Sequence, residues 1–130
     1  MAGTKDARTH GRQPAKTFIS LDETARNLTA LRHFAATQTA ARWVWITPAA
    51  VIEGKMAAHW FLGPLELAWA NADLRAVADA IRKQADPVVD VQKVFDPVAD
   101  PGLLMEDGLH PSLAGQKAIV RALVERLTER

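Results

Sequence analysis

The sequence has 130 residues, a size that suits one small domain, and its 48% of hydrophobic residues is typical of a globular chain. Its 16 Lys and Arg balance 15 Asp and Glu, a formal charge of +1 that argues against binding to nucleic acid or an anionic membrane, which needs clustered cations. The absence of cysteine excludes a disulfide framework, a thiolate zinc site and a cysteine nucleophile.

The N-terminal segment, residues 1–17, shows no hydrophobic periodicity and is predicted to be irregular. No apolar stretch follows its charges, so it does not resemble a secretory signal. The sequence as written is typical of a cytoplasmic protein, but a signal encoded upstream stays open, so the localisation is undecided. Its cations are interpreted as a solvated loop, with a phosphate-binding patch as the alternative. They are Lys5, Arg8, Arg12 and Lys16. The longest apolar stretch, 43–52, is far shorter than the ~20 residues of a membrane helix.

The first predicted element is an amphipathic helix over about 21–38. Ser20 and Glu23 have the spacing of a capping box, which marks its start. Its apolar residues recur at helical spacing and are expected to face inward. They are Leu21, Ala25, Leu28, Leu31 and Ala35. The β-branched and aromatic run 42–47 then predicts a buried strand, which Pro48 ends because proline cannot donate to a ladder.

That strand is expected to be central, with Trp43 and Trp45 facing one layer and Val44 and Ile46 the other. Residues 49–64 are predicted to form a long loop with some helical turns.

The second half of the chain predicts a helix, a strand and a last helix. Asn71 is the expected N-cap of a helix to about Gln84, although Leu67 and Ala70 leave an earlier start open. The inward stripe of this helix is Leu74, Val77, Ala78 and Ile81. A strand over 87–91 and a loop rich in Asp and Pro follow. A final helix is predicted over about 112–127. Its apolar residues are expected to face the core: Ile119, Ala122, Leu123 and Leu127.

Helices alternating with strands indicate a parallel α/β sheet, with the two strands side by side. Two strands alone make a marginal sheet, because parallel sheets normally have several strands with both faces covered. The pattern therefore predicts one domain over 1–130 that is the C-terminal portion of a larger α/β fold.

The sharpest chemical signal is Asp107-Gly-Leu-His110-Pro111, followed by Gly115 and a helix. An aspartate three residues before a histidine on a tight turn can reach the imidazole Nδ1. The carboxylate then fixes the tautomer and leaves Nε2 free as a general base. The plain structural alternative is a turn aspartate beside an ordinary loop histidine.

These residues resemble the last conserved block of the SGNH (GDSL-like) hydrolases, Asp-x-x-His-Pro followed by a glycine and a helix. Gly3-Thr-Lys5-Asp6 resembles the third block of that family, Gly-x-Asn-Asp. The helices and strands between the two blocks match the middle of such proteins, so the resemblance covers the chain from residue 3 onward. It implies a flavodoxin-like three-layer α/β/α fold and a serine esterase or lipase-like activity on an acyl ester.

By this resemblance, His110 is the base and Asp107 the acid that orients it. Lys5 stands where the family has its oxyanion asparagine, and Gly3 opens that block; Asp6 is expected to brace the loop. The family's Gly-Asp-Ser block is absent from the sequence. Ser20 and Ser112 are interpreted as helix caps rather than nucleophiles.

Two accounts of the missing serine stay open. Met1-Ala2 can be the tail of the strand that leads into the third block, with the serine encoded upstream. A truncated or split gene predicts the same residues. Under the second account the chain is a non-catalytic module or fragment that self-associates or needs a partner chain at its open sheet edge. Whether the chain is an enzyme is therefore undecided at this stage.

The remaining histidines give weaker signals. His59 and Trp60 follow the first predicted strand and are candidates for lining an acyl or sugar pocket, with simple packing as the alternative. His10 and His33 have no metal-ligand spacing, so no metal site is predicted. The expected partner is a small ester or acylated sugar, and Ser-His-Asp chemistry implies no cofactor.

Overall fold

The computed structural model describes residues 1–129, which form a small α/β protein with short parallel and antiparallel strand pairs. In chain order its helices and strands are β1 (Arg8–His10), α1 (Leu21–Gln38), β2 (Trp45–Ile46), β3 (Leu67–Trp69), α2 (Asn71–Arg82), β4 (Val88–Val89) and α3 (Leu113–Thr128). Short 3₁₀ turns lie in the loop after β2, as expected. No helix in the described part of the chain is long and apolar enough to cross a membrane.

Helix α1 has the predicted bounds, and the Ser20 hydroxyl accepts the Glu23 N–H at 3.2 Å. Its predicted inward stripe is only partly right. Leu28 is buried, but Leu21 and Leu31 remain 45% and 46% exposed. The helix packs on α2, and Thr24, a residue outside the apolar pattern, is buried with Leu28. Periodicity identifies the apolar face of a helix but not how much of that face is covered.

Strands β2 and β4 are parallel neighbours, with Trp45 opposite Val88 and Ile46 opposite Val89. As predicted, the side chains of 43–46 alternate between two layers. Trp43 and Trp45 join a core with α1 and α2, whereas Val44 and Ile46 join a second core with α3. The parallel pair is therefore covered by helices on both faces.

One edge of β2 faces β4 and the other faces the N-terminus. The N–H groups of Trp45 and Thr47 donate to Pro87 and Val89 of the neighbouring strand segment. Because strand backbone groups alternate in direction, the Ile46 backbone faces the opposite edge. There the Ala2 N–H donates to the Ile46 carbonyl at 3.4 Å, so the backbone at Ala2 lies beside β2 on the edge opposite β4.

Strands β1 and β3 form an antiparallel pair that the sequence did not indicate. β1 lies in the segment predicted to be irregular. β3 occupies the region considered as an earlier start for α2. Both strands have three residues and no apolar alternation, so only their pairing with each other defines them. This pairing ties the N-terminal segment to the loop before α2.

Asn71 is not the N-cap of α2 but its first residue, and Ala70 is the cap. The Asn71 side chain is used elsewhere: Oδ1 accepts the Val51 N–H, and Nδ2 donates to the Val51 carbonyl, both at 2.9 Å. The predicted stripe of α2 is confirmed, since all four of its residues are buried. Asn71 thus fastens the loop after β2 to the start of α2.

Replacing Asn71 by alanine is expected to lower the free energy of unfolding by about 1–3 kcal/mol, because Val51 is buried and both its backbone groups would lose their partner. Urea unfolding measures the change. Asn27→Ala, on the exposed surface of α1, is the matched control and should change it by less than about 0.5 kcal/mol. Equal effects of the two variants would contradict the role of Asn71.

Helix α3 begins at the predicted cap, since the Ser112 hydroxyl accepts the Gly115 N–H at 3.2 Å. A Cβ at Gly115 would lie 2.1 Å from the Leu103 carbonyl oxygen, so glycine is required for this close approach. The predicted stripe of α3 packs on the second core, except for Leu127, which is 38% exposed. The start of α3 therefore fixes the position of the chain segment that precedes it.

Candidate functional site

The turn Asp107–His110 lies between the loop after β4 and the start of α3. Gly108 adopts a left-handed backbone (φ 69°), a conformation that glycine adopts at no steric cost. The Met105 N–H donates to the His110 carbonyl at 2.8 Å, and the Gly108 N–H donates to the Met105 carbonyl at 2.9 Å. These backbone bonds close a tight loop and set the two functional side chains side by side.

The two carboxylate oxygens of Asp107 have different partners. Oδ1 accepts the backbone N–H groups of Leu109 and His110 at 2.8 and 2.9 Å. Oδ2 lies 2.5 Å from Nδ1 of the His110 ring. Asp107 is buried, whereas the His110 side chain is 58% exposed. One oxygen therefore maintains the turn and the other orients an accessible imidazole.

The protonation of this pair follows from its hydrogen bonds. Burial raises the pKa of the Asp107 carboxyl, but the bonds from the His110 ring and from two backbone N–H groups outweigh it, and the pKa falls below its usual range. An ionised carboxylate only accepts hydrogen bonds, so the shared proton lies on Nδ1. In the neutral ring Nε2 then carries the free lone pair, as a general base requires.

The lowered pKa of Asp107 predicts a pH dependence of stability. Above the pKa of the carboxyl in the unfolded chain, about 3.9, the ionised group contributes its full stabilisation. That contribution falls as pH drops through the lower pKa of the folded state. The difference in unfolding free energy between the native chain and Asp107→Asn should shrink between about pH 5 and pH 2, as measured by urea unfolding at each pH. A pH-independent difference would contradict this assignment.

His110 lines a cleft with a volume of about 360 Å³, within the usual range of small-molecule sites. Most of the cleft wall is apolar. The residues that line it are Met1, Thr4, Lys5, Arg8, Ala49, Val51, Leu62, Leu67, Trp69, Leu109, His110 and Pro111. The cleft therefore brings together His110 and Lys5, two of the residues singled out in the sequence, although 105 positions separate them.

The β1–β3 pair builds one wall of the cleft. Arg8 lies opposite Trp69 in the pair, and the Trp69 indole N–H donates to the Thr4 carbonyl at 2.8 Å. The Arg8 guanidinium carbon lies 4.2 Å from the centre of the Phe18 ring, which is cation–π geometry. Arg8 was interpreted from the sequence as a solvated loop cation, but it is half-buried in a strand.

The other candidate residues lie apart from this cleft. Gly3 is not part of the cleft lining. It has a left-handed backbone (φ 90°), and a Cβ there would meet Val77 of α2. Trp60 is 84% exposed, and His59 accepts the Phe61 and Leu62 N–H groups at Nδ1. His59 and Trp60 line a different depression, whose wall also includes Met105, Glu106 and Asp107.

The predicted supporting residues have definite partners. Asp6 braces its loop as expected, because its Oδ2 accepts the hydroxyl of buried Thr24 at 3.1 Å. Ser20 and Ser112 are helix caps. Within residues 1–129, no hydroxyl donates to the His110 ring, and no group of three or more His, Asp or Glu side chains is arranged to hold a metal ion.

Several residues of the cleft were not predicted from the sequence: Arg8, Leu62 and Leu67. The pairing of β1 with β3 brings Arg8 and Leu67 to the cleft; it joins positions about 60 residues apart and has no local pattern. Leu62 lies in the loop before β3. The fold and site together define a small α/β protein with an oriented His–Asp pair at an apolar cleft. No protein-family model matches the chain, and no curated protein matches it significantly.

Proposed function

We propose that the chain carries the acid–base half of an SGNH-type serine hydrolase that acts on an acyl ester. The observation that supports this most is the Asp107–His110 pair, whose histidine lines the apolar cleft. His110 takes the proton of the attacking serine hydroxyl through Nε2 and returns it to the leaving alcohol. Asp107 orients the ring and stabilises the imidazolium that forms between these steps.

The nucleophilic serine is supplied in this proposal by residues outside the 130-residue sequence. That sequence contains no Gly-Asp-Ser, and both candidate serines, Ser20 and Ser112, use their hydroxyls as helix caps. Lys5 lines the cleft with His110 and is the side chain assigned to the oxyanion, since an ammonium stabilises developing negative charge.

The architecture favours the same family. Two parallel strands have helices on both faces, and the His–Asp turn follows the last strand and precedes the last helix. The backbone at Ala2 is hydrogen-bonded to β2 on the edge opposite β4, directly before the segment that resembles Gly-x-Asn-Asp. We propose that this arrangement is the C-terminal part of the flavodoxin-like three-layer SGNH fold.

Labelling with a fluorophosphonate probe tests the function. The protein is isolated from its native cells, and species containing this sequence are treated with the probe and digested for mass spectrometry. We expect an adduct on a serine, in the same polypeptide or a tightly bound subunit, that is lost when His110 is replaced by alanine. Absence of a serine adduct from every species that contains this sequence would contradict the proposal.

A second candidate is a non-catalytic module that completes its sheet with a partner strand. The observation that favours it is the edge of β2, where Ile46 accepts one hydrogen bond from Ala2 and is otherwise open to a longer parallel strand. Apolar side chains are also exposed on α1 and α3, among them Phe34 and Val120. Sedimentation of the 130-residue chain tests this candidate: the module requires a dimer or complex, and a folded monomer refutes it.

A further inference from the structure

The charged residues of the cleft all have one sign. Lys5 and Arg8 lie in its lining together with His110, and no Asp or Glu lines it. The rest of the surface is mainly aliphatic and aromatic, with Leu62 and Trp69 as large members. A ligand that matches both parts needs an apolar body and an anionic end.

Arg8 is a half-buried cation in the lining of this cleft. Its Nε is buried and has no hydrogen-bond partner within residues 1–129. No carboxylate of those residues lies within 4.0 Å of its guanidinium. The guanidinium lies over the Phe18 ring, and Arg8 also lines a second depression together with Phe18. A partly buried guanidinium without an acceptor is unfavourable, because it gives up hydration without a compensating bond. A bound carboxylate relieves this cost.

We propose that the cleft binds an aliphatic carboxylate, with Arg8 and Lys5 contacting the anion and the apolar wall contacting the chain. Arg8 is then the residue that determines specificity for an anionic ligand over a neutral one of the same length. The place of this ligand in catalysis rests on the proposed function, under which it is the acid released by ester hydrolysis. The binding itself depends only on the cleft.

Octanoate is the probe, titrated into the full chain by calorimetry and by NMR of the Trp69 indole N–H. Octanol has the same chain without the charge, and acetate has the charge without the chain. We expect octanoate to bind at least about tenfold more tightly than octanol, because a hydrogen bond to a charged group contributes ~1.5–3 kcal/mol, and acetate to bind far more weakly. Equal affinities for octanoate and octanol would overturn the proposal.

Arg8→Gln should weaken octanoate binding about tenfold and leave octanol binding unchanged. Arg12→Gln is the matched control, because Arg12 belongs to the same segment but does not line the cleft. Arg8→Lys keeps the charge and should recover part of the affinity for octanoate, which shows that the charge matters. Urea unfolding checks that each variant is folded. Equal octanoate affinities of the Arg8→Gln and Arg12→Gln variants would also overturn the proposal.

The two proposals fail separately. If no serine adduct forms but octanoate still binds more tightly than octanol, the hydrolase proposal is refuted and the proposal of an anion-binding cleft stands. A hydrolase that depends on His110 but binds octanoate and octanol equally would keep the proposed function and remove the role of Arg8.

Discussion

Replacing His110 by alanine is expected to lower kcat/KM for ester hydrolysis by about four orders of magnitude in the protein that includes the nucleophilic serine. That loss corresponds to roughly 5.5 kcal/mol of transition-state stabilisation. Under the proposed function the loss is large because without Nε2 no group accepts the serine proton, whereas the apolar cleft itself is left in place. Initial rates with a short p-nitrophenyl ester measure the change.

His33→Ala is the matched control for this variant, since His33 lies on the exposed surface of α1 and outside the cleft. Its rate should stay within twofold of the native rate. Added imidazole is expected to restore part of the activity of the His110 variant, because a small base can enter the space left by an exposed ring. Retention of activity within tenfold in the His110 variant would refute its role as the base.

Replacing Leu74 by alanine is expected to lower the free energy of unfolding by about 2–5 kcal/mol, through lost burial and the cavity left behind. Leu74 is fully buried on α2, in the core that also holds Trp45 and Ile81. Since small domains are stable by only ~5–15 kcal/mol, this single change removes a large share of the total. Urea unfolding followed by circular dichroism measures it.

The comparison variant is Leu31→Ala, which makes the same chemical change on a helix whose leucine is half exposed. Its effect should be below about 1 kcal/mol, because the side chain buries less surface and alanine favours the helix. A large effect at Leu31 would mean that the apolar face of α1 is covered in solution, as its sequence periodicity predicted.

Helix positions could be predicted from the sequence because their ends are marked locally. Ser20 and Ser112 are short polar side chains before amphipathic runs, and each caps the helix that it was expected to begin. The alternation of 43–46 also gave the two layers correctly, since neighbouring residues of a strand necessarily point to opposite faces.

The sequence-based predictions are wrong where contacts with residues far apart in the chain determine the structure. β1 and β3 have no pattern of their own, and their pairing makes the cleft wall. Asn71 has the local signature of a cap, but two backbone groups of buried Val51 offer its amide a better match. At the site, the spacing of Asp107 and His110 predicted a close pair because three residues on a tight turn leave little freedom. The position of Arg8 in the cleft wall depends on the tertiary fold.

The four tryptophans have optical consequences because their surroundings differ so strongly. Trp60 projects into solvent, whereas Trp69 lines the cleft and Trp45 is buried in the core. An indole in water emits at longer wavelength and is open to collisional quenchers, so Trp60 supplies a red-shifted, quenchable background. In a Trp60→Phe variant the remaining emission comes from shielded indoles, of which Trp69 alone lines the cleft. The fluorescence of that variant would report occupancy of the cleft without any added label.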